Sequence, residues 1–324
     1  MRSTTQNVGQ AIEKALRRIE QANQASLYGI FGDAQWSNKN KLSDHLKKSN
    51  KDHRTLSLYG QEKNLTSSSI ARMNMFLHGI EDFQIVRGDT LRNPAFFEAD
   101  GLKTFDCVIA NPPFSLSNWG AENWSNDPWG RNFAGIPPKS NGDMAWVQHM
   151  IKSMNSTGRM TVVLPHGALF RKGAEGRIRE AILRVDLLEA VIGLGSNIFY
   201  GTSLAACIMV FRQNKVQGKK GKVLFVDASD QIRTGRAQNY LEPNHVNQIY
   251  SWCEQYQDVE NHVKVATLDD IRENDYNLNI PLYVEKVIED NLPTVEEALS
   301  ELKSTWEKAQ EAEERFKNIL QDFL

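Results

Sequence analysis

The sequence predicts an α/β fold: a doubly wound, mostly parallel, Rossmann-like sheet with helices on both faces, flanked by N- and C-terminal helical segments. Apolar runs typical of buried strands alternate with a helical pattern, with strands over residues 56–62 and 83–86 and a helix over residues 64–77. Polar side chains such as Glu62 and Asp89 stand at or just beyond the carboxyl ends of these strands. This alternation favours parallel strands joined by right-handed crossovers.

The next strand covers residues 105–110 and ends abruptly in Asn111-Pro112-Pro113-Phe114. Two prolines cannot continue the hydrogen bonding of a strand, and they stiffen the chain beyond it. We therefore expect an amide side chain, a fixed backbone carbonyl and an aromatic ring together at the carboxyl end of this strand. In open α/β sheets, ligands bind at that end.

These groups suit methylation of an exocyclic amino nitrogen, whose lone pair is delocalised into its ring and is a poor nucleophile. The side-chain oxygen of Asn111 and the carbonyl of Pro112 can each accept one amine hydrogen, which localises the lone pair and aims it at a methyl donor. Phe114 can stack on the face of an extruded base. The alternative is a strand followed by a proline-rich turn without function, since short motifs also arise by chance.

The chain has 324 residues, of which 40% are hydrophobic, and a mean hydropathy of −0.49. These values are typical of an ordinary globular protein. No apolar run is long enough for a membrane span, and the first residues lack a signal-peptide core. Three widely spaced cysteines indicate free thiols in the cytoplasm and no metal site. With a net charge of −2, any grip on nucleic acid must be local or supplied by a partner.

Two carboxylates are candidate ligands of a nucleoside cofactor. Glu62 is placed to accept hydrogen bonds from ribose hydroxyls, although an acid at a helix N-terminus is also favourable by itself. Asp89, in the stretch Gly88-Asp89-Thr90-Leu91, can accept from an adenine amino group or can be a turn aspartate. His166 is better explained as a structural histidine than as a base.

Three further segments have less specific patterns. The long loop over residues 115–142 is rich in tryptophan, and we expect it to be ordered and to cover a substrate. A basic helix over residues 171–183 either meets DNA phosphates or is a solvated face. The last helix opens with a capping box, Thr294 with Glu297, and its near-heptad apolar residues favour a helical partner.

Several stretches together resemble one family, the modification (methyltransferase) subunits of type I restriction–modification systems. The resemblance runs in order from about residue 56 to the C-terminus, and residues 1–45 resemble the start of the family's N-terminal helical region. The matching stretches are LYGQE (58–62), MN (73–74), HGI (78–80), GDTL (88–91), NPPF (111–114), DPWG (127–130), GRM through LPHG (158–167), NIFYGT (197–202) and NDYNLNIP (274–281).

The resemblance implies an S-adenosylmethionine-dependent enzyme that methylates N6 of adenine in DNA. By position, the resemblance assigns contacts with the target adenine to Asn111, Pro112, Pro113 and Phe114. It gives the ribose of S-adenosylmethionine to Glu62, and the cofactor's adenine to Asp89 with the adjoining Thr90 and Leu91. The implied partners are DNA, a specificity subunit, a restriction subunit and a second modification subunit, with the C-terminal helix as a contact. Residues 1–54 are then an N-terminal helical remnant and connector, 55–240 the catalytic domain and 241–324 a C-terminal helical region.

One part of the family pattern is missing. Members carry a Phe-Tyr-Thr-Pro stretch and a glycine-rich Asp-Pro-x-Cys-Gly-Ser-Gly loop on the first sheet strand, and this chain passes directly from the helical piece to residue 56, with a junction near residues 42–53. The missing strand belongs between the strands that end at Glu62 and Asn111. Either these two strands close up, or the spare strand-like segment over residues 26–31 fills the gap, because unpaired buried backbone groups are costly.

Three functional hypotheses therefore stand. The chain is an adenine-N6 DNA methyltransferase subunit, or it is a catalytically impaired, internally deleted remnant that keeps the fold and a partner-binding surface. A third hypothesis is methylation of an amino group in RNA or of a protein glutamine, which can use a similar Asn-Pro-Pro arrangement. The resemblance across the C-terminal half argues against the third.

Overall fold

A mixed sheet organises the chain in the computed structural model, which describes residues 57–77, 79–199, 202–286 and 294–317. It describes residues 25–31, 56 and 318–321 as backbone alone. The strands are β1 (Ala25–Phe31), β2 (Leu56–Glu62), β3 (Phe83–Arg87), β4 (Phe97–Glu98), β5 (Gly101–Leu102), β6 (Phe105–Asn111), β7 (Met154–Pro165), β8 (Leu188–Leu194), β9 (Ala206–Arg212), β10 (Lys222–Ala228) and β11 (Val263–Thr267). The α-helices are α1 (Leu65–Leu77), α2 (Asp143–Lys152), α3 (Gly167–Phe170), α4 (Ala174–Arg184), α5 (Pro243–Gln255), α6 (Leu268–Glu273) and α7 (Val295–Gln321).

Within the described residues, nine of these strands form one sheet in the order β11-β10-β8-β9-β7-β6-β1-β2-β3, and β4 and β5 form a separate hairpin. Only β9 and β11 run antiparallel to their neighbours in this sheet. The predicted doubly wound, mostly parallel sheet is therefore confirmed.

Strand β1 lies in the interior of the sheet, between β2 and β6. Its residues pair in parallel with β2 on one side and with β6 on the other, so that Gly29 lies opposite both Gly60 and Ile109. The hypothesis that residues 26–31 fill the place of the missing strand is confirmed. The backbone donors and acceptors of β2 and β6 that face each other across β1 are thereby hydrogen-bonded. Leaving them buried without partners would destabilise the fold.

The sheet is covered on both faces. In β6, Cys107 and Ile109 face one hydrophobic core while Val108 and Ala110 face the other, as the two-residue period of a strand requires. Apolar residues of α2, α3, α4 and α6 pack into one core, and those of α1 and α5 pack into the other. Because both faces of β6 are buried, its residues 107–110 form a continuous apolar run without alternation.

Helix α1 packs against the sheet through small residues and one methionine: Ser67, Ser68, Ala71 and Met75. The apolar residues at helical spacing in its sequence, Ile70, Met73 and Phe76, are exposed. Small side chains let the helix approach the strands closely, so the larger apolar residues are not needed there.

The described residues divide into two compact units between Lys286 and Val287. Strand β11 lies beyond the boundary predicted near residue 240, yet it extends the main sheet by pairing with β10. The second unit contains α7, whose predicted capping box is present, since the amide of Thr294 donates to Glu297 Oε2 at 2.8 Å and that of Glu297 to Thr294 Oγ1 at 3.2 Å. Among the helices of the described residues, none has the length and apolar character that a membrane span requires.

Candidate active site

The carboxyl ends of the central strands bring the predicted site residues to one edge of the sheet. Glu62 ends β2, and Asn111 ends β6 and pairs with Phe31 at the end of β1. Glu62 and Asn111 therefore flank β1 at the same level, about 10 Å apart by the usual spacing of strands. Asp89 follows β3, the next strand outward, two residues after Arg87. One edge thus carries the residues predicted to handle the base and those predicted to handle the cofactor.

The Asn111–Phe114 corner presents two acceptors and a ring. Asn111 and Pro112 are buried, Pro113 is exposed and Phe114 is half-buried. No described residue hydrogen-bonds the side-chain amide of Asn111 or the carbonyl oxygen of Pro112. Among the described residues, neither group therefore has a hydrogen-bond partner.

A second aromatic residue lies beside this corner. The ring centroid of Phe199 is 6.1 Å from that of Phe114, with an interplanar angle of 74°, an edge-to-face geometry. Phe199 follows β8 and therefore reaches the same edge of the sheet. Sequence reasoning did not assign it a role, although it lies within the stretch 197–202 that carried part of the family resemblance.

The turn that follows Phe114 is fixed by a buried carboxylate. Ser115 adopts a left-handed conformation with φ of 51°, and its amide donates to Asp143 Oδ1 at 2.8 Å. The amide of Gly142 also donates to the carbonyl of Leu116 at 2.9 Å, so the two ends of the loop over residues 115–142 are joined at its base. A side chain at Gly142 would lie 2.9 Å from the Trp119 ring, which explains the glycine.

Asp143 is fully buried, and its other oxygen accepts from Arg171 Nη1 at 2.9 Å. Arg171 also donates to Glu175 Oε1 at 3.1 Å and to Ser115 Oγ at 3.3 Å. Burial raises the pKa of the Glu175 carboxyl, although Arg171 opposes this. This cluster ties the turn beside the corner to α2 and α4.

The loop over residues 115–142 contributes two of its three tryptophans to the hydrophobic core. Trp119 and Trp124 are almost fully buried and pack edge to face at 5.0 Å. Asn132 Nδ2 donates to the Trp124 carbonyl at 3.0 Å. These two rings belong to the hydrophobic core. Removing the large apolar surface of an indole ring from water stabilises the fold.

The predicted cofactor residues lie on β2 and in the turn after β3. Glu62 is buried, and the amide of Asn64 donates to its Oε1 at 2.7 Å. Asp89 is partly exposed, and it accepts from Lys63 Nζ at 2.9 Å and from the amide of Arg92 at 3.2 Å. The Lys63 side chain is 77% exposed, so this pair holds Asp89 only weakly.

These donors and acceptors suit the adenosine half of S-adenosylmethionine. Carboxylate oxygens each accept more than one hydrogen bond, which matches ribose hydroxyls at Glu62 and an adenine amino group at Asp89. Thr90 and Leu91 are buried behind Asp89. A side chain at Gly88 would lie 2.7 Å from Gln61 Nε2, so the Gln61 side chain would have to shift. No described cluster of His, Cys, Asp or Glu side chains is arranged to hold a metal ion.

The histidines at the site are held in structural contacts. His166 follows β7, and its Nε2 lies 3.0 Å from the carbonyl oxygen of Ala206. Burial lowers the pKa of His166. A neutral imidazole that donates to a backbone carbonyl fits the structural assignment made from the sequence.

The burial of His149 makes the free energy of unfolding depend on pH. It is almost fully buried, and burial together with the nearby Arg131 guanidinium holds the pKa of its imidazole well below the usual range. This group stabilises the fold fully above about pH 6.5 and loses that contribution as the pH falls, because the unfolded chain then binds a proton that the folded chain excludes. We expect the free energy of unfolding to fall by up to about 1.4 kcal/mol per pH unit from this source.

Urea unfolding at pH 7.5 and pH 5.5 measures the effect. The control is His149→Gln, which keeps an acceptor near Arg131 but does not titrate, and we expect a smaller loss of stability in this variant. An equal loss in both proteins would show that His149 is not responsible.

The predicted basic helix begins later and is less available than its sequence indicates. Helix α4 starts at Ala174, and Arg171 belongs to the Asp143 cluster. Arg179 is almost fully buried and donates to the carbonyls of Ala168 and Arg171 at 3.3 and 2.7 Å. Of the four basic residues, only Lys172 and Arg177 are exposed enough to meet a phosphate.

Comparison with known proteins connects this geometry to a family. The family model described as N-6 DNA Methylase matches residues 40–291. The chain is 34% identical over 278 residues to the type I restriction enzyme MjaVII methylase subunit of Methanocaldococcus jannaschii, covering 82% of this chain and 46% of the relative. It is 30% identical over 276 residues to the MpnII methylase subunit of Mycoplasma pneumoniae, covering 82% and 50%.

A solved structure shows the same fold. The methyltransferase subunit of the type I restriction–modification system from Streptococcus thermophilus superposes with a TM-score of 0.77 at 32% identity, covering 86% of this chain and 58% of that protein. The chain spans about half the length of the curated relatives it matches.

Proposed function

Because the chain belongs to the N-6 DNA methylase family, we propose that it methylates N6 of adenine in DNA, as a modification subunit of a type I restriction–modification system. The observation that carries this proposal is the Asn111–Phe114 corner at the carboxyl edge of the sheet. Its amide oxygen and the Pro112 carbonyl are not engaged by any described residue, and an aromatic ring lies beside them.

The chemistry follows from these groups. The Asn111 side-chain oxygen and the Pro112 carbonyl each accept one hydrogen of the adenine amino group, which turns the nitrogen lone pair toward the cofactor side of the edge. Phe114 contacts the face of the base, and its edge-to-face contact with Phe199 fixes the ring. The buried cluster around Asp143 holds the turn after Phe114, so the corner is preorganised and does not need to rearrange on binding.

S-adenosylmethionine supplies the electrophilic methyl group when it is bound. In this proposal Glu62 accepts from its ribose hydroxyls, and Asp89 accepts from its adenine amino group with Thr90 and Leu91 behind it. All four residues lie at the end of β2 or just after β3. The cofactor's adenosine half therefore lies on the β2 and β3 side of β1, and the target adenine on the β6 side.

The partners follow from the same proposal. Recognition of a DNA sequence is supplied by a specificity subunit, and a second modification subunit and a restriction subunit complete the assembly in the cytoplasm. Helix α7 contributes a contact surface, because its apolar residues repeat at near-heptad spacing from Val295 to Phe316. The net charge of −2 agrees with a DNA grip that a partner supplies.

Methyl incorporation tests the proposal. The chain and its specificity subunit are incubated with labelled S-adenosylmethionine and with unmethylated duplex DNA, RNA or a glutamine-containing protein. We expect label in N6-methyladenine of DNA and none in the other two. Label in RNA or protein would replace the proposed substrate, and no label in any of them would favour the internally deleted remnant.

A further inference from the structure

Arg131, in the loop over residues 115–142, is a buried arginine whose donors are all used. Its Nε and Nη2 donate to Asp127 Oδ1 at 3.0 and 2.6 Å. Its Nη1 donates to the Thr90 carbonyl at 3.2 Å and lies 3.4 Å from His149 Nδ1, and its Nη2 also donates to the Leu91 carbonyl at 3.0 Å. Each of the five N–H groups of the guanidinium therefore has an acceptor.

The surroundings of this guanidinium are built to hold it in one position. Arg131 and Asp127 are each 2% exposed at the side chain, and Asp127 Oδ2 also accepts from the amide of Arg131 at 2.7 Å. The guanidinium carbon lies 4.5 Å from the ring centroid of Trp124 and 5.0 Å from that of Trp129. A buried ion pair is costly unless its geometry and remaining hydrogen bonds are nearly complete, which is the case here.

Two of the acceptors are the backbone carbonyls of Thr90 and Leu91, directly behind Asp89. The turn over residues 89–93, which we term the Asp89 turn, is closed by the Asn93 amide, which donates to the Asp89 carbonyl at 2.7 Å. Its far end is held where Gln61 Nε2 donates to the Asn93 carbonyl at 2.8 Å. At its near end, the side chain of Asp89 meets the exposed Lys63. The middle of the turn is held by Arg131.

We propose that Arg131, oriented by Asp127, is a positioning residue for the cofactor's adenine and acts through the Thr90 and Leu91 carbonyls on the Asp89 turn. This inference rests on the proposed function, and it gives the DPWG stretch at residues 127–130 a physical role. The same loop then contacts both the Asp89 turn and the Asn111–Phe114 corner. It begins at Ser115, next to the corner, and the Ser115 amide donates to Asp143.

Arg131→Lys tests the proposal, because an ammonium keeps the charge but cannot reach carbonyls and carboxylate in a planar fork. We expect the dissociation constants of S-adenosylhomocysteine and of adenosine to rise together by about 10-fold, since the loss is at the adenine end. Isothermal titration calorimetry measures both ligands. The matched control is Arg179→Lys, in which another buried arginine loses donation to the carbonyls of Ala168, Arg171 and Tyr276.

The control should lose thermal stability to a similar degree without a change in either dissociation constant. If Arg131→Lys does not fold, Asp127→Asn keeps an acceptor oxygen beside the guanidinium, and we expect it to weaken both ligands by a smaller factor. Combining Arg131→Lys with Asp89→Asn should cost less than the product of the single effects, because both act through one turn.

The outcomes separate the two proposals. Wild-type protein that binds neither ligand overturns the proposed function and this inference with it. Wild-type binding that Arg131→Lys and Asp127→Asn leave unchanged overturns the role of Arg131 alone. Full multiplicativity with Asp89→Asn would also overturn it, because Arg131 would then not act through the Asp89 turn.

Discussion

Asn111→Ala is expected to lower the rate of methyl transfer by at least about 100-fold while leaving the melting temperature within about 2 °C of the wild type. The rate falls because one of the two acceptors that localise the adenine lone pair is lost. Stability hardly changes because no described residue hydrogen-bonds the Asn111 side chain, so its removal breaks no internal hydrogen bond of the described chain. Initial rates at saturating cofactor and differential scanning fluorimetry measure the two effects.

Asn155→Ala is the matched control for this substitution. Asn155 lies near the amino end of β7, away from the edge that carries the site, and its amide donates to Asp106 Oδ1 at 2.8 Å. We expect this variant to keep its turnover and to lose a little stability. If Asn111→Ala instead lowered the melting temperature by many degrees, Asn111 would be a structural residue and the chemistry proposed for it would be wrong.

Gly29→Pro is expected to destabilise the protein by about 3 kcal/mol or more. Gly29 lies in the middle of β1, which is paired on both sides, so a proline removes an amide from the ladder and leaves a carbonyl of a neighbouring strand without its donor. The same change disturbs β2 and β6, which carry Glu62 and Asn111. Urea unfolding followed by circular dichroism measures the loss.

Gly218→Pro serves as the control, because Gly218 lies in a short surface helix and has open space where a side chain would extend. We expect its free energy of unfolding to stay within about 1 kcal/mol of the wild type, since proline is tolerated near the start of a helix. Similar small losses in both variants would show that β1 does not lie between β2 and β6 in solution.

The strand ends that carry the proposed site residues could be predicted from local sequence. The strand that ends in two prolines is visible from residues 105–114 alone, because a proline pair must end the ladder and stiffens the chain after it. The carboxyl-end positions of Glu62 and Asp89 are apparent in the same way from short strands and their turns. The insertion of β1 was one of two alternatives that the sequence left open, because a sheet cannot leave two buried strands unpaired.

Other features depend on contacts between distant segments. The acceptors around Arg131 come from three parts of the chain, and the pairing of Phe114 with Phe199 joins two residues far apart in sequence. Contacts between residues so far apart in sequence leave no periodic pattern from which they could be predicted. The tryptophans of the loop over residues 115–142 show the same limit, because composition alone does not tell whether an indole faces a core or a cleft.

The glycine-rich loop that family members carry poses the central question, because β1 restores the sheet but has a different sequence from the family's first strand. The residues proposed for the adenosine half of the cofactor lie on β2 and after β3, and both strands are present and paired in the sheet. We therefore predict that the chain binds the cofactor although the sequence of β1 differs from that of the family's first strand.

Calorimetric titration of the full chain with S-adenosylmethionine, beside the Asp89→Ala variant, tests this most directly. We predict saturable binding at one site in the wild type and a clear loss of affinity in the variant. The absence of any heat or thermal shift at millimolar ligand in the wild type would contradict the proposed function and leave a folded chain without a methyl donor.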